Sequence, residues 1–164
     1  MSARCKGYLF AVADGMGGHA DGEIASHIAV RALFDAYYGS NAHASEALIA
    51  ATIASNTAVH DSGTAALERA GRPGDEAQRM GTTLVGCAVV DERLFGVSVG
   101  DSRAYLYRDN TLTRFTHDQT LAAEQVRRGL LTDDEAKQAR FRSALLQALG
   151  HAALTQHLRR KRPP

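Results

Sequence analysis

Tyr8-Leu9-Phe10-Ala11-Val12-Ala13-Asp14-Gly15-Met16-Gly17-Gly18-His19-Ala20-Asp21 is the stretch on which the reading of this chain turns. Its apolar run from Tyr8 to Ala13 predicts a buried strand that stops on Asp14. A strand end is rigid enough to hold a carboxylate. Gly15, Gly17 and Gly18 then let the backbone bend around whatever Asp14 grips. From these residues alone two readings stay open: an ordinary Asp-Gly turn, and a metal or phosphate site with exposed carbonyls and amides. The residue order is neither that of a P-loop nor that of a dinucleotide fold, and the alternating acids of a calcium loop are missing. Oxygen donors of this kind suit magnesium or manganese better than zinc.

Length and charge narrow the classes. A chain of 164 residues carries one modest domain with a core. An apolar fraction of 45% with 23% charged residues is that of a globular protein and excludes wholesale disorder. A net charge of +1 gives no global field to recruit nucleic acid or acidic membrane. Cys5 and Cys87 form no Cys-x-x-Cys pair and read as reduced thiols. The apolar run behind Arg4 and Lys6 is too short for a signal peptide, and no stretch approaches the roughly 20 apolar residues of a membrane span. The expectation is a cytoplasmic protein without membrane or nucleic-acid partners.

Outward from the opening stretch, Glu23 to Tyr38 predicts a helix with a stripe of Ile24, Ile28 and Ala32, joined by Leu33 and Phe34. Ser45 to Glu68 predicts a second, with Leu48, Ile49, Ile53 and Val59 inward; Gly63 leaves open a break into two helices. Four short runs follow, Thr82 to Val90, Arg93 to Val99, Ser102 to Arg108 and Thr111 to Phe115. Asp91-Glu92, Gly100-Asp101 and Asp109-Asn110 separate them with tight-turn chemistry, which predicts a four-stranded antiparallel meander. Helices before and after a meander give an α+β layered domain. Thr120 to Arg128 predicts a short helix stopped by Gly129, and Thr132 to Glu135 is a capping box opening another that continues through Phe141, Leu145, Leu146 and Leu149. Residues 151–164 end in a basic tail, read as solvated and disordered.

Val12-Ala13-Asp14-Gly15-Met16-Gly17-Gly18-His19, Met80-Gly81-Thr82-Thr83 and Val99-Gly100-Asp101-Ser102-Arg103 resemble, in order and separation, the motifs of the metal-dependent protein serine/threonine phosphatases, the PPM or type 2C family, in their bacterial form. The resemblance spans about Gly7 to Gly150, so residues 1–150 are expected to be a partial phosphatase domain. It implies an α-β-β-α layered β-sandwich flanked by helices. It also implies two Mn2+ or Mg2+ ions that activate water against phosphoserine or phosphothreonine in proteins. Asp14 would be the catalytic, metal-bridging carboxylate, Gly15 would offer its carbonyl, and Asp101 would serve a third ion while also acting as a turn residue. Thr82 and Thr83 would support the site. Arg103 would pair with a carboxylate or carbonyl, a phosphate role being the lesser reading, and His19 would either position the loop or sit in a turn.

The chain also departs from the family pattern. Met16 stands where several members have a histidine that protonates the leaving alcohol, and Gln119 in Thr116-His117-Asp118-Gln119 replaces a family histidine. The family's leading arginine strand with its Asn-Glu-Asp segment has no match, nor do its later Ser-Asp-Gly and Asp-Asn carboxylates; Asp109-Asn110 falls in a hairpin turn instead. Two divalent ions held by one carboxylate and one carbonyl would repel each other. The expectation is therefore a phosphatase domain truncated at both ends. The alternative is a non-catalytic remnant that binds phosphoproteins or regulates a partner. The oligomeric state is left open.

Overall fold

The computed structural model describes residues 6–16, 19–75 and 79–151. Gly17, Gly18, Cys5, the His19 side chain and residues 152–164 of the expected tail lie outside the described residues. The chain runs β1 (Tyr8–Val12), β2 (Gly15–Met16), α1 (His19–Gly39), α2 (Ala44–Arg69), β3 (Gly81–Thr82), β4 (Leu84–Val90), β5 (Arg93–Val99), β6 (Tyr105–Arg108), β7 (Thr111–Arg114), α3 (Leu121–Arg127) and α4 (Asp133–Gln138). The helices lie before and after antiparallel strands, as an α+β domain requires.

The main sheet is antiparallel in the order β1-β4-β5, with Ala11 opposite Gly86 and Gly86 opposite Val97. One face packs on the two long helices. A β-carbon on Gly86 would meet Leu33 Cδ2 at 3.4 Å and Leu48 Cδ1 at 3.6 Å. The core unites Leu9, Leu84, Ala88 and Val97 with Ala25, Ala29, Leu33 and Tyr37 of α1 and Ala47, Leu48, Ala51 and Val59 of α2.

The inward stripe of α1 differs from the expected one. Ala25, Ala29, Leu33 and Tyr37, four residues apart, are fully buried, whereas Ile24 is 46% exposed. The stripe is thus rotated by one residue, because small alanines let α2 approach closely. Ser55 of α2 donates across that contact to the Ala29 carbonyl at 3.0 Å. Helix α2 is continuous through Gly63 and does not break, and Ile53 faces outward. β1 is also less buried than expected: Leu9 is buried while Tyr8, Phe10 and Val12 are exposed, so among the described residues one face of the strand is covered.

The expected four-stranded meander is divided. β4 and β5 join through Asp91 and Glu92, and β6 and β7 through Asp109 and Asn110; both turns hold two successive positive φ angles, the type I′ geometry that suits strand twist. β5 and β6 do not pair, and β6–β7 forms its own two-stranded sheet. The cause is the Gly100–Ala104 segment, whose polar groups are engaged outside the ladder: Gly100 with Gln119, Ser102 with Thr83 and Ala104 with Thr116.

Thr132 and Glu135 form the expected capping box, but α4 stops at Gln138. The expected continuation through Phe141 to Leu149 is not helical: residues 140–143 form turns, in which the Arg142 N–H donates to the Ala139 carbonyl and the Ala144 N–H to the Phe141 carbonyl, and Leu145 to Leu149 form a strap. Leu145 pairs with Thr120, and Leu149 pairs with Thr82 and is fully buried. Exchange of N–H···O bonds between Leu149 and Thr82 at 2.8 and 3.1 Å satisfies backbone that a helix would have satisfied internally.

Candidate active site

β1 delivers Asp14 to the edge of the structure, where both Asp14 and Gly15 are exposed. Thr83 fixes their position. The Asp14 N–H donates to Thr83 Oγ1 at 3.0 Å, and the Thr83 N–H donates to the Asp14 carbonyl at 2.9 Å. Gly15 pairs with Thr82 and Met16 with Gly81, so β2–β3 is a short brace behind the Asp-Gly turn. Gly15 also lies directly against the first turn of α1: a β-carbon there would fall 1.8 Å from the Gly22 carbonyl oxygen, so only glycine fits.

The second turn joins the first through the same threonine. Thr83 Oγ1 and Ser102 Oγ are 2.6 Å apart, which ties the residue after Asp101 to the backbone of Asp14. Gly100 rests on Thr83 with φ of +91°; a β-carbon there would meet Thr83 Cγ2 at 2.7 Å. The structure therefore links the Asp14-Gly15 turn and the Asp101 turn through one buried hydroxyl. Asp101 itself is half-buried.

Two supporting residues were not singled out from the sequence. Gln119, read there only as a departure from a family histidine, behaves like a strand pairing with the end of β5. Its Oε1 accepts the Gly100 N–H at 2.9 Å, its Nε2 donates to the Ser98 carbonyl at 3.0 Å, and its own N–H donates to the Gly100 carbonyl at 3.0 Å. Asn56 of α2 accepts the Gly150 N–H at 3.0 Å, holding the strap whose Leu149 braces Thr82. The available signal was an amide side chain among the residues of α2 that turn inward, beside Thr52 and Ser55.

Arg103 faces Asp118. Its Nε and a terminal nitrogen donate to the two Asp118 oxygens at 3.1 and 2.6 Å, and Arg114 shares the same carboxylate. Hydrogen bonding to Asp118, reinforced by its charge, holds the Arg103 guanidinium above its ordinary pKa range. This is the carboxylate partnership expected of it. Asp109 and Asn110 lie in the β6–β7 turn.

The donors suit a hard cation in kind: the carboxylate of exposed Asp14, the main-chain carbonyl of Gly15 and a second carboxylate on the linked turn. In number they fall short, since among the described residues no three His, Cys, Asp or Glu side chains converge on a metal position. An open cleft of about 1280 Å³ lies between β5 and the α3–α4 region, and neither Asp14 nor Asp101 lines it. No helix among the described residues is long and apolar enough to cross a membrane.

Fold and site together define an α+β domain that offers oxygen donors at a strand end. The chain belongs to the Protein phosphatase 2C family, whose profile matches residues 2–155. It is 39% identical over 147 residues to the serine/threonine protein phosphatase PstP of Mycobacterium tuberculosis, covering 87% of this chain and 27% of that protein. It is 35% identical over 139 residues to the serine/threonine phosphatase stp of Listeria welshimeri, covering 85% of this chain and 54% of that one. Among solved structures, the catalytic domain of PstP in complex with two manganese ions matches with a TM-score of 0.72 at 34% identity, over 95% of this chain and 62% of that one. The chain thus spans 27% and 54% of the length of these two curated relatives.

Proposed function

We propose that this chain carries the Asp-Gly portion of a protein serine/threonine phosphatase site, which hydrolyses phosphoserine or phosphothreonine in proteins with Mn2+ or Mg2+. The observation that supports it most is the Asp14–Thr83–Ser102 linkage, which joins three family motifs into one unit. Asp14 is the catalytic carboxylate of this reading. Together with the Gly15 carbonyl and with Asp101 it would hold the metal, whose chemistry is to lower the pKa of water and to neutralise phosphoryl charge. Thr83 orients Asp14 by fixing its backbone on both sides, so the carboxylate would meet a cation without searching rotations of the turn. Met16 offers no ionisable proton, so the leaving alcohol takes its proton from a group other than the residue after Gly15.

A second reading, a phosphoprotein-binding remnant without turnover, is favoured by the small number of carboxylates that converge at the site. The deciding experiment is Mn2+-dependent phosphate release from a phosphothreonine peptide by the purified chain, beside Asp14→Ala, with circular dichroism confirming that both are folded. Release that disappears in Asp14→Ala supports hydrolysis at this site. Peptide binding without release decides for the second reading, and release that persists in Asp14→Ala refutes the assignment of Asp14.

A further inference from the structure

The open cleft beside β5 differs in charge from the chain as a whole. Six cationic side chains line it against three carboxylates, although the whole chain carries a net charge of only +1. Four of the cations stand in two clusters. Asp118 accepts from Arg103 and Arg114, and Glu124 accepts from Arg127 at 2.6 Å and from Arg128 at 2.7 Å. Each carboxylate is thus shared by two guanidiniums, which leaves one positive charge unbalanced in each cluster. Arg142, on the same cleft, is exposed and makes no ion pair among the described residues. Ion pairs near the surface are weak, so these guanidiniums turn to a further carboxylate at little cost.

The cleft also opens onto a sheet edge. β5 is the last strand of its sheet and pairs with β4 alone. The Ser98 carbonyl takes Gln119 Nε2 at 3.0 Å, so Ser98 turns its backbone away from β4. By the two-residue repeat of an antiparallel ladder, Gly96 turns its N–H and C=O the same way. Both residues line the cleft. Among the described residues, the Gly96 N–H and C=O and the Ser98 N–H have no hydrogen-bond partner. Open groups of this kind are a template for one more strand. Leu121, Val126 and Leu146 add apolar wall to the same cleft. A nucleic acid would meet the charges but has no alternating N–H and C=O groups to continue a ladder, whereas a polypeptide has both.

We propose that this cleft docks an extended acidic segment of a polypeptide, which adds to the free edge of β5 at Gly96 and Ser98 and places its carboxylates among the two arginine clusters and Arg142. Backbone pairing aligns the segment, and the guanidiniums select acidic over basic sequence. The apolar walls take the residues between the acids. The site is separate from the Asp14 and Asp101 turns and its test contains no metal, so it stands or fails independently of hydrolysis.

The probe is a fluorescein-labelled peptide of alternating glutamate and valine, titrated with the full 164-residue chain in EDTA at low salt and followed by fluorescence anisotropy. The expected result is saturable binding that weakens as salt rises, with slower amide exchange at Gly96 and Ser98 in the complex. Arg142→Glu, which breaks no ion pair among the described residues, should weaken binding at least tenfold. Arg31→Glu makes the same change of net charge on the exposed side of α1 and should leave binding unchanged. Circular dichroism confirms that both variants are folded. A probe N-methylated at every peptide bond, unable to donate to the ladder, should not bind. Absence of binding by the unmodified probe overturns the proposal, as does equal binding of the N-methylated one. An equal loss in Arg31→Glu overturns it by assigning the effect to net charge, and tighter binding of oligodeoxythymidylate than of the peptide overturns it by assigning the cleft to nucleic acid.

Discussion

Thr83→Val removes one oxygen and retains the side-chain volume, so it isolates the hydroxyl that joins the two turns. Thr83 is 2% exposed, so water does not replace the lost oxygen. The Asp14 N–H, bonded to it at 3.0 Å, is left without its acceptor, which costs about 1–3 kcal/mol. Ser102 is only half-buried and regains a partner from solvent, so its lost 2.6 Å contact adds little. The sum is about 2 kcal/mol, which at an m-value of about 2 kcal/mol/M moves the urea midpoint down by about 1 M. The assay is urea unfolding followed by circular dichroism on wild type, Thr83→Val and Thr83→Ser. Thr83→Ser keeps the oxygen and loses one buried methyl, about 0.8 kcal/mol. A Thr83→Val midpoint equal to wild type, or a Thr83→Ser loss as large as that of valine, would refute the role of the hydroxyl.

Gln119→Ala should lower stability by about 2 kcal/mol in the same unfolding assay, because the Gly100 N–H and the Ser98 carbonyl both lose their partner. Glu135 is held below its ordinary pKa by its bond from the Thr132 N–H, then by the Thr132 hydroxyl. A depressed carboxylate pKa contributes stability at neutral pH and loses it as pH falls through the folded value, below about 4.3. Amide exchange in α4 should therefore accelerate on acidification in wild type, and Glu135→Gln should flatten that acid dependence. Burial pushes the Cys87 thiol up from its ordinary pKa, so it stays protonated at neutral pH. Its reaction with Ellman's reagent should be slow in the folded chain and accelerate in urea; equal rates would contradict its burial.

Features set by neighbouring residues were legible in the sequence. The Asp91-Glu92 and Asp109-Asn110 turns, the Thr132 to Glu135 capping box and the stop at Gly129 all follow from local backbone chemistry. What was not legible depends on residues far apart in the chain. The burial of Ala25 and Ala29 in preference to Ile24 reflects the close approach of α2, which a hydrophobicity stripe on one helix does not encode. The divided meander follows from the bonds of Gly100 to Gln119 and Ser102 to Thr83. The strap at Leu145 to Leu149 replaces a helix because Thr82 and Thr120 offer it partners, and a short apolar run carries no period that separates the two outcomes. At the candidate site, Asp14, Gly15 and Asp101 stood out by motif, but the hydroxyl that links their turns became visible only with the fold.

Asp14, Gly15 and Asp101 are proposed to form one metal-holding unit. Its most direct measurement is Mn2+ titration of the purified chain, followed by electron paramagnetic resonance of the free ion, for wild type, Asp14→Ala, Asp101→Ala and Asp109→Ala. The expected result is Mn2+ binding that weakens at least tenfold in Asp14→Ala, weakens to a smaller degree in Asp101→Ala and is unchanged in Asp109→Ala, whose side chain sits in the β6–β7 turn. Binding that is equal in wild type and Asp14→Ala would contradict the claim.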